Sequence, residues 1–386
     1  MKIVADENIP LVRDGFGRFG EVRVLPGRAI RAEAVRDAEM LIVRSVTKVN
    51  AKLLDGSAVR FVGTCTIGMD HLDVDYLRRR GITYASAPGS NATSVAEYIA
   101  AVMLQLSERL GFRLAEKTVG VVGVGNVGSR VAQRAGALGM KVVLNDPPLA
   151  RETHDAKYRP LDEVLGLADI VTLHVPLEKG GADPTWHMVN DEFLAKMKPG
   201  AMLFNSSRGA VHDTQAVLAA KRSGRLGALF LDVWENEPDI DIGLVAAADV
   251  ASPHISGYSA DGKLAGVVMV HRAAAKFLGV KSEWDPSGQL PAPLLSEATL
   301  ADCTEPVEEL SRRLVLGTYD FAGDDRRMRE MIKLPAAKRA KHFDALRRDY
   351  PCRREFHNTK VTLTGECRRL ANMLTGLGFS VAANSH

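Results

Sequence analysis

Short apolar runs separated by helix-like segments make up the amino-terminal part of the chain. The runs, each of strand length, cover residues 2–5, 22–25, 40–43, 61–63 and 82–85. Segments with helical spacing, such as residues 31–37 and 73–80, lie between most of them. Because strands that alternate with helices usually pair in parallel, this pattern predicts an α/β fold with a parallel sheet.

The most informative pattern begins at residue 118, where a β-branched apolar run leads into the spacing G-x-G-x-x-G. Its glycines are Gly123, Gly125 and Gly128, and a helix-like segment, a second apolar run and Asp146 follow them. This order predicts strand, tight turn, helix and strand, which together cradle a dinucleotide pyrophosphate at the helix N-terminus. A carboxylate at Asp146 would bind the ribose hydroxyls and repel a 2′-phosphate. The sequence therefore predicts NAD rather than NADP as cofactor.

The alternation of strands and helices continues after Asp146. Apolar runs within residues 168–176, 202–209 and 228–234 predict three more strands that end in polar residues. Because ligands of open parallel sheets bind beyond the carboxyl ends of the strands, these polar ends are candidate site residues. The same argument selects Ser45 and Thr66 in the amino-terminal part, where a helix-capping role is the alternative.

Two long helices are predicted around the nucleotide-binding pattern. Residues 94–97 read S-x-x-E, a capping box that predicts the start of a helix reaching about Leu110. Apolar residues at helical spacing predict a second helix over residues 260–278. Residues 286–293 are rich in proline and predict a linker to a third unit.

Composition narrows the class of protein. At 386 residues the chain is long enough for two or three domains, and its net charge of +3 indicates no dominant polyanionic partner. The four cysteines are scattered without C-x-x-C, which suggests neither a disulfide framework nor a zinc site. The first strand follows Met1 directly and no apolar stretch approaches membrane-spanning length, so we expect a cytoplasmic protein without a membrane partner.

Taken together, the motifs resemble the D-isomer-specific 2-hydroxyacid dehydrogenases in order and spacing over about the first 280 residues. Besides the glycine pattern with Asp146, they are residues 198–201 (KPGA), 205–209 (NSSRG), 232–238 (DVWENEP) and 252–257 (SPHISG). Within that family the chain is most similar to the branch that acts on a phosphorylated four-carbon acid in vitamin B6 biosynthesis. Residues 3–10, 63–71 and 256–259 and the carboxyl-terminal extension carry this narrower resemblance.

The resemblance implies an α/β, two-lobed fold in which a Rossmann-type NAD-binding domain is inserted in a flavodoxin-like substrate lobe. We expect the substrate lobe at residues 1–93, completed by 258–285, and the NAD-binding domain at 94–257. A carboxyl-terminal α/β dimerisation domain is expected at 286–386. The two lobes would hinge and exclude water from the reaction.

The resemblance assigns catalysis to Arg208, Glu237 and His254. A histidine is suited to take the hydroxyl proton while hydride leaves for the nicotinamide, and a neighbouring carboxylate orients it and stabilises the imidazolium. An arginine binds the substrate carboxylate as a fork and stabilises charge on the forming ketone. Taken singly, such residues are more often structural: a strand-end arginine is usually a surface or ion-pair residue, a glutamate before proline is often solvated, and a histidine after proline is more often a loop residue. Their joint occurrence at successive strand ends favours the catalytic interpretation.

The remaining site residues are also implied by the resemblance. Those expected to bind NAD are Gly123, Gly125, Asn126, Val127, Gly128, Asp146, Val175, Ser206, Ser207, Arg208, Asp232 and Gly257. Ser45, Thr66 and Tyr258 are expected to bind a small phosphorylated 2-hydroxy acid through their hydroxyl groups. No metal is expected, and structural roles are predicted for His71, His174, His187 and His212.

The basic carboxyl-terminal region has two interpretations. Its arginines and lysines are interleaved with acidic residues, which favours solvated, salt-bridged helix faces over a nucleic-acid surface. The resemblance implies that this region makes a homodimer. Two alternative functions stay open: another D-2-hydroxyacid dehydrogenase such as one for phosphoglycerate, or an NAD-sensing regulatory protein on the same scaffold.

Overall fold

A computed structural model describes residues 1–301 and 303–383, with the backbone alone for Ala383. Residue 302 and residues 384–386 of the predicted carboxyl-terminal domain therefore lie outside the described residues. The chain divides into two compact units. The first comprises Met1–Ala92 and Tyr258–Pro291, and the second comprises Thr93–Gly257 and the chain from Ala292 onward.

The first unit is built on a parallel sheet whose strands are ordered β2-β1-β3-β4-β5. The strands are β1 (Lys2–Asp6), β2 (Glu21–Leu25), β3 (Met40–Val43), β4 (Phe61–Thr64) and β5 (Thr83–Ala85). The helices between them are α1 (Val12–Phe16), α2 (Ala32–Val35), α3 (Ala51–Leu54) and α4 (Val74–Arg79). This strand order is that of flavodoxin-like sheets, so the predicted fold class is confirmed for this unit.

Helices cover both faces of this sheet. Along β1, Ile3 faces a buried cluster that includes Val267 and Val270 of the long helix Ala260–Leu278. Val4 faces the opposite cluster. A Cβ at Gly63 would lie 2.4 Å from a methyl carbon of Val270, so only glycine allows the long helix to pack this closely.

The second unit contains a six-stranded parallel sheet ordered β11-β10-β9-β8-β6-β7. Its strands are β6 (Thr118–Val122), β7 (Lys141–Asn145), β8 (Ile170–Leu173), β9 (Ala201–Asn205), β10 (Leu226–Leu231) and β11 (Val250–Ala251). Its helices are α5 (Ala92–Leu110), α6 (Asn126–Ala137), α7 (Pro147–Thr153), α8 (Leu161–Leu167), α9 (Asp191–Lys196), α10 (Thr214–Arg222) and α11 (Ile242–Ala247), and Ala260–Leu278 of the first unit is α12. All strands are parallel, but the order in which successive strands are added reverses between β6 and β8: β7 lies on one side of β6, and β8 to β11 lie on the other. Rossmann-type sheets bind nucleotides at this point. The predicted Rossmann-type domain is confirmed.

The predicted capping box at residues 94–97 is wrong. Helix α5 begins at Ala92, so Ser94 lies within its first turn. Instead of capping the helix, the Ser94 hydroxyl donates to the Glu355 carboxylate at 2.8 Å, and Glu97 accepts a hydrogen bond from the Phe356 N–H at 3.0 Å. Both residues are buried against the carboxyl-terminal segment, a contact that the local motif does not reveal.

The carboxyl-terminal segment forms a parallel sheet ordered β12-β13-β14 together with several helices. Its elements are β12 (Glu297–Leu300), α13 (Val307–Thr318), α14 (Phe321–Lys333), α15 (Ala336–Arg348), β13 (Lys360–Leu363), α16 (Ala371–Leu377) and β14 (Ser380–Ala383). Met328, Met331 and Phe343 share one buried cluster with residues of β10 and β11. This segment therefore packs on the nucleotide-binding sheet within the same unit.

Two further features concern the cysteines and membrane insertion. Cys303 and Cys367 form a disulfide across the carboxyl-terminal segment, so the expectation of no disulfide is wrong for this pair. Their Cα atoms are 5.5 Å apart although 64 residues separate them in sequence, a proximity that spacing alone cannot reveal. Among the described residues, no helix is both long and apolar enough to cross a membrane.

Candidate active site

Polar residues meet at the carboxyl edge of the sheet in the second unit. Val175 follows β8, Arg208 follows β9, Asp232 follows β10 and His254 follows β11. These strands are parallel neighbours, so their carboxyl ends lie side by side. The fold thus brings together residues that are distant in the sequence.

The glycine loop after β6 has the geometry of a pyrophosphate cradle. Gly123 has φ +85°, and a Cβ there would lie 2.6 Å from the carbonyl oxygen of His174. A Cβ at Gly128 would lie 1.9 Å from the Gly123 carbonyl oxygen, so glycine lets α6 pack against the loop. At Gly125 a Cβ would meet no described atom within 4 Å. The open face at Gly125 fits a cofactor phosphate, and the first and third glycines serve the turn and the packing.

Asp146 has structural contacts besides its predicted cofactor role. Its Oδ2 accepts a hydrogen bond from the Val124 N–H at 2.7 Å, which braces the glycine loop. Its Oδ1 accepts from the Leu149 N–H at 3.0 Å and caps α7. A carboxylate has about four acceptor positions, so both contacts are compatible with binding ribose hydroxyls.

Asn205 shapes the loop that carries Arg208. Its side-chain oxygen accepts from the Ser207 N–H and hydroxyl at 3.0 and 2.8 Å, and its amide donates to the Arg208 carbonyl at 3.0 Å. A Cβ at Gly209 would lie 1.9 Å from the Trp234 carbonyl oxygen, which shows how closely the loop approaches the end of β10. The buried Ser206 hydroxyl has no hydrogen-bond partner among the described residues, and its predicted contact with NAD stays a prediction.

Both carboxylate oxygens of Asp232 accept hydrogen bonds from the segment that carries His254. Its carboxylate accepts from the Ser252 hydroxyl at 2.6 Å, from the Ile255 N–H at 2.7 Å and from the Ser256 N–H at 3.1 Å. The side chain is 1% exposed. Asp232 therefore holds the loop of residues 252–256 that carries His254, a structural role that the sequence does not reveal. Its predicted contact with NAD stays a prediction.

Glu237 and His254 form the hydrogen-bonded pair expected of a general base and its partner. The His254 Nδ1 atom lies 2.8 Å from Glu237 Oε2, and Glu237 Oε1 accepts from the Trp234 N–H at 3.0 Å. The His254 side chain is one-third exposed, whereas Glu237 is more buried. With Nδ1 bound to the carboxylate, Nε2 is the ring atom left to exchange a proton with a substrate hydroxyl.

The charges around Glu237 keep its carboxylate ionised. Burial raises the pKa of Glu237, but the His254 imidazole, the Arg347 guanidinium and the Trp234 N–H outweigh burial and hold the pKa below its ordinary value. An ionised partner stabilises the imidazolium that forms when His254 takes up a proton. The pair is therefore suited to proton abstraction from an alcohol.

Three other histidines of this unit, His174, His187 and His212, have contacts that do not involve His254 or Glu237. Burial lowers the pKa of His174 to about 3 and that of His212 to about 4, so both are neutral near pH 7. His212 is hydrogen-bonded to Asn205 at 2.9 Å. His187 lies 2.7 Å from Glu235, whose other oxygen accepts from the Thr214 N–H. These contacts fit the structural roles expected from the sequence.

The three residues predicted to bind substrate belong to the first unit. Ser45 is exposed in the turn after β3. The Thr66 hydroxyl lies 2.7 Å from that of Thr64, which lies 3.0 Å from His71 Nε2. Tyr258 lies beneath the ammonium group of Lys263, 4.4 Å from its ring centre.

Arg353 is a buried contact of the second unit that sequence reasoning missed. In the sequence Arg353 is one of many charged residues of the carboxyl-terminal region, for which solvent-exposed positions are predicted. In the structure it is 1% exposed. Its guanidinium donates to backbone next to His254. No local sequence pattern distinguishes Arg353 from its exposed neighbours. The one available signal is its position in the loop between α15 and β13, outside the helices that carry most of the other basic residues.

Residues 92–256 match the NAD-binding domain of the D-isomer-specific 2-hydroxyacid dehydrogenases. Residues 289–378 match a second domain type, described as a domain of unknown function, DUF3410. The first match covers the glycine loop, Arg208, Glu237 and His254, and the second covers most of the carboxyl-terminal segment. The cofactor of this chain is accordingly NAD.

Curated relatives match nearly the whole chain. It is 48% identical over 369 residues to an erythronate-4-phosphate dehydrogenase from Salinibacter ruber, covering 94% of each chain. It is 46% identical over 379 residues to the enzyme of the same name from Azotobacter vinelandii, covering 98% of this chain and 99% of that one.

Solved structures match about three-quarters of the chain. A D-lactate dehydrogenase from Aquifex aeolicus in complex with NAD and lactic acid has a TM-score of 0.61 and 26% identity. The match covers 72% of this chain and 96% of that one.

Proposed function

The chain belongs to the D-isomer-specific 2-hydroxyacid dehydrogenase family, in the branch of the erythronate-4-phosphate dehydrogenases, and we propose its reaction and site residues on that premise. It oxidises 4-phospho-D-erythronate to (R)-3-hydroxy-2-oxo-4-phosphooxybutanoate with NAD, a step of pyridoxal 5′-phosphate (vitamin B6) biosynthesis. The single observation that carries the assignment is the intact Glu237–His254 pair, with 2.8 Å between Oε2 and Nδ1, in a chain 48% identical to such an enzyme.

The proposed chemistry uses three side chains of the second unit. His254 removes the proton of the C2 hydroxyl and becomes an imidazolium that Glu237 stabilises. Bound NAD would supply the acceptor for the hydride that leaves C2 as the carbonyl forms. Arg208 binds the substrate carboxylate and stabilises negative charge on the C2 oxygen, with the Asn205 contacts holding its loop in place.

The proposed NAD site follows the carboxyl edge of the sheet. The glycine loop and the N-terminus of α6, with Asn126 and Val127, bind the pyrophosphate, and Asp146 binds the ribose of the adenosine. The orphaned Ser206 hydroxyl and the backbone of Val175 and Gly257 would line the nicotinamide side. Ser45, Thr66 and Tyr258 stay predictions for substrate binding, since hydroxyl donors suit a phosphorylated acid.

A substrate panel tests this function. Purified protein is incubated with NAD and, separately, with 4-phospho-D-erythronate, 3-phospho-D-glycerate and D-lactate, and NADH is followed by absorbance. We expect the highest kcat/KM with 4-phospho-D-erythronate. A preference for another acid would reassign the substrate within the family, and NAD binding without turnover on any acid would favour a regulatory protein.

We further propose that the chain is a homodimer joined through the carboxyl-terminal segment, and that it is cytoplasmic. Light scattering of the full chain should then give twice the chain mass. Cytosolic thiols are usually reduced, so the Cys303–Cys367 disulfide is a feature that argues against this location. Thiol titration of protein purified from the cytosol under anaerobic conditions would determine whether the bond exists there.

A further inference from the structure

A buried arginine of the carboxyl-terminal segment reaches the backbone that carries the catalytic histidine. The Arg353 guanidinium donates hydrogen bonds to the carbonyl oxygens of Ser94 at 3.2 Å, of Ile255 at 3.5 Å and of Ser256. Ile255 and Ser256 are the two residues after His254. The segment of the chain that resembles a domain of unknown function thus contacts the loop that carries His254, residues 252–256, directly.

The backbone that follows His254 is hydrogen-bonded through both its N–H groups and its carbonyl groups. The carboxylate of Asp232 accepts the N–H groups of Ile255 and Ser256, while Arg353 donates to the carbonyl groups of the same two residues. His254 itself has φ +59°, a left-handed conformation that is unfavourable for a residue with a Cβ. Such a conformation persists only where surrounding contacts impose it.

Arg353 is itself fixed in place. Its guanidinium carbon lies 5.3 Å from the ring centre of Tyr98 and 5.9 Å from that of Phe321. A planar guanidinium stacked in this way presents several N–H groups in fixed directions, which is why it can serve three carbonyl groups at once. A lysine at this position would offer one flexible ammonium group.

We propose that Arg353 is a positioning residue for His254. It holds the carbonyl groups of the next two residues so that the imidazole keeps its hydrogen bond to Glu237 and its Nε2 faces the substrate hydroxyl. This inference rests on the proposed function, because it concerns the residue that removes the proton. The carboxyl-terminal segment is then part of the catalytic apparatus of each chain.

Arg329 provides a matched control for a role that is merely structural. Its guanidinium also reaches from the carboxyl-terminal segment to backbone carbonyl groups, those of Ala248 at 2.7 Å and Asp249 at 3.3 Å. These carbonyl groups precede β11 and do not belong to the loop after it. Loss of either arginine removes hydrogen bonds to backbone carbonyl groups, and loss of Arg329 also removes its 2.7 Å ion pair with Asp325. Of the two arginines, only Arg353 donates to the residues that follow His254.

The experiment compares Arg353→Met, Arg353→Lys and Arg329→Met in the full chain, with melting temperature, NAD dissociation constant, kcat and KM measured for each. We expect Arg353→Met to lower kcat about 10- to 100-fold, the cost of a small misplacement of a catalytic group, with NAD affinity changed less than about twofold. Arg353→Lys should recover part of kcat. Arg329→Met should lower the melting temperature while kcat stays within about twofold of wild type.

The proposal is overturned by wild-type kcat in folded Arg353→Met, or by equal losses of kcat in Arg353→Met and Arg329→Met. If Arg353→Met does not fold, Arg353→Lys decides, since wild-type kcat in that variant counts against positioning by the guanidinium fork. The wild-type isotope effect with 2-deuterated substrate serves as reference. It should rise or stay constant in Arg353→Lys as hydride transfer becomes slower, and a lower effect contradicts the proposal.

A substrate-independent measurement separates this proposal from the proposed function. If the wild type oxidises a different 2-hydroxy acid, the same variants are assayed on that acid. If it oxidises none, the proton of the His254 Nδ1–Glu237 hydrogen bond is observed by proton NMR of nitrogen-15-labelled protein. Its signal is compared in wild type and Arg353→Lys. We expect the signal to shift or broaden in Arg353→Lys and not in Arg329→Met. An unchanged signal in Arg353→Lys would refute the positioning role whatever the substrate.

Discussion

Glu237 holds His254 by a 2.8 Å contact between Oε2 and Nδ1, and the same carboxyl group accepts the Trp234 N–H through its other oxygen. The carboxylate therefore cannot rotate without losing one of these bonds. This connects the orientation of the imidazole to the backbone that follows β10. The most direct predictions concern these two residues.

His254→Ala should lower kcat by about 10²- to 10⁴-fold, the usual contribution of a general base. NAD affinity should change little, because the residues proposed to bind its pyrophosphate and ribose make other contacts. Asp146 is hydrogen-bonded to the glycine loop, and His254 is hydrogen-bonded to Glu237. Steady-state kinetics and NAD fluorescence titration measure the two effects. His154→Asn, an exposed histidine in a left-handed conformation that asparagine tolerates, is the control. Turnover close to wild type in His254→Ala would exclude it as the base.

Glu237→Gln should destabilise the fold in a pH-dependent way. The pKa of Glu237 is held below its ordinary value of 4.5, so its ionised form adds stability above that value. The contribution disappears as the pH falls through the lowered pKa. Near neutral pH the variant should lose about 1–3 kcal/mol.

Urea denaturation of wild type and Glu237→Gln between about pH 3 and pH 7 measures the difference. The two curves should converge at the acidic end, where the glutamate is protonated. Glu152→Gln, at an exposed position, serves as a reference for a change of surface charge. A difference that grows toward low pH would mean that the sign of the shift is wrong.

The sequence reveals most of the fold because the strand-helix alternation is local. Residues 40–43, for example, are predicted as a strand and form β3 at the same bounds. By contrast, β11 is missed because it has two residues, too few for a periodic pattern. β12 is missed because it has four residues beside a proline-rich stretch, and only its last residue, Leu300, is buried.

The candidate site shows the same division between local and distant information. The glycine loop can be read from sequence because its turn, helix and strand are consecutive. The hydrogen bonds of Asp232 and Arg353 to the backbone of residues 255 and 256 cannot be read from sequence. The two side chains lie 23 and 98 residues from Ile255. Likewise, Ser94 and Glu97 form a helix-capping motif by spacing, yet their side chains bind a segment some 260 residues further along.

Asp146→Asn should weaken discrimination between NAD and NADP. The substitution removes the negative charge that repels a 2′-phosphate, and we expect the ratio of kcat/KM for NADP to that for NAD to rise about tenfold, equal to about 1.4 kcal/mol. One of the two contacts to Val124 and Leu149 N–H groups is lost as well. Asp155→Asn, at an exposed position, should leave the ratio unchanged. Equal losses with both cofactors would mean that Asp146 acts only as a brace for the glycine loop.

Three glycine-to-alanine variants should separate cofactor binding from folding. Gly125→Ala adds a methyl group that meets no described atom within 4 Å, so the fold should be retained while NAD binding weakens about tenfold or more. Gly128→Ala places Cβ 1.9 Å from the Gly123 carbonyl oxygen and should lower the melting temperature strongly. Gly136→Ala, in open space on the same helix, should stabilise the protein by up to about 1 kcal/mol without affecting NAD. Calorimetry and NAD titration measure both properties, and unchanged NAD affinity in Gly125→Ala would refute the assignment of this loop as the pyrophosphate cradle.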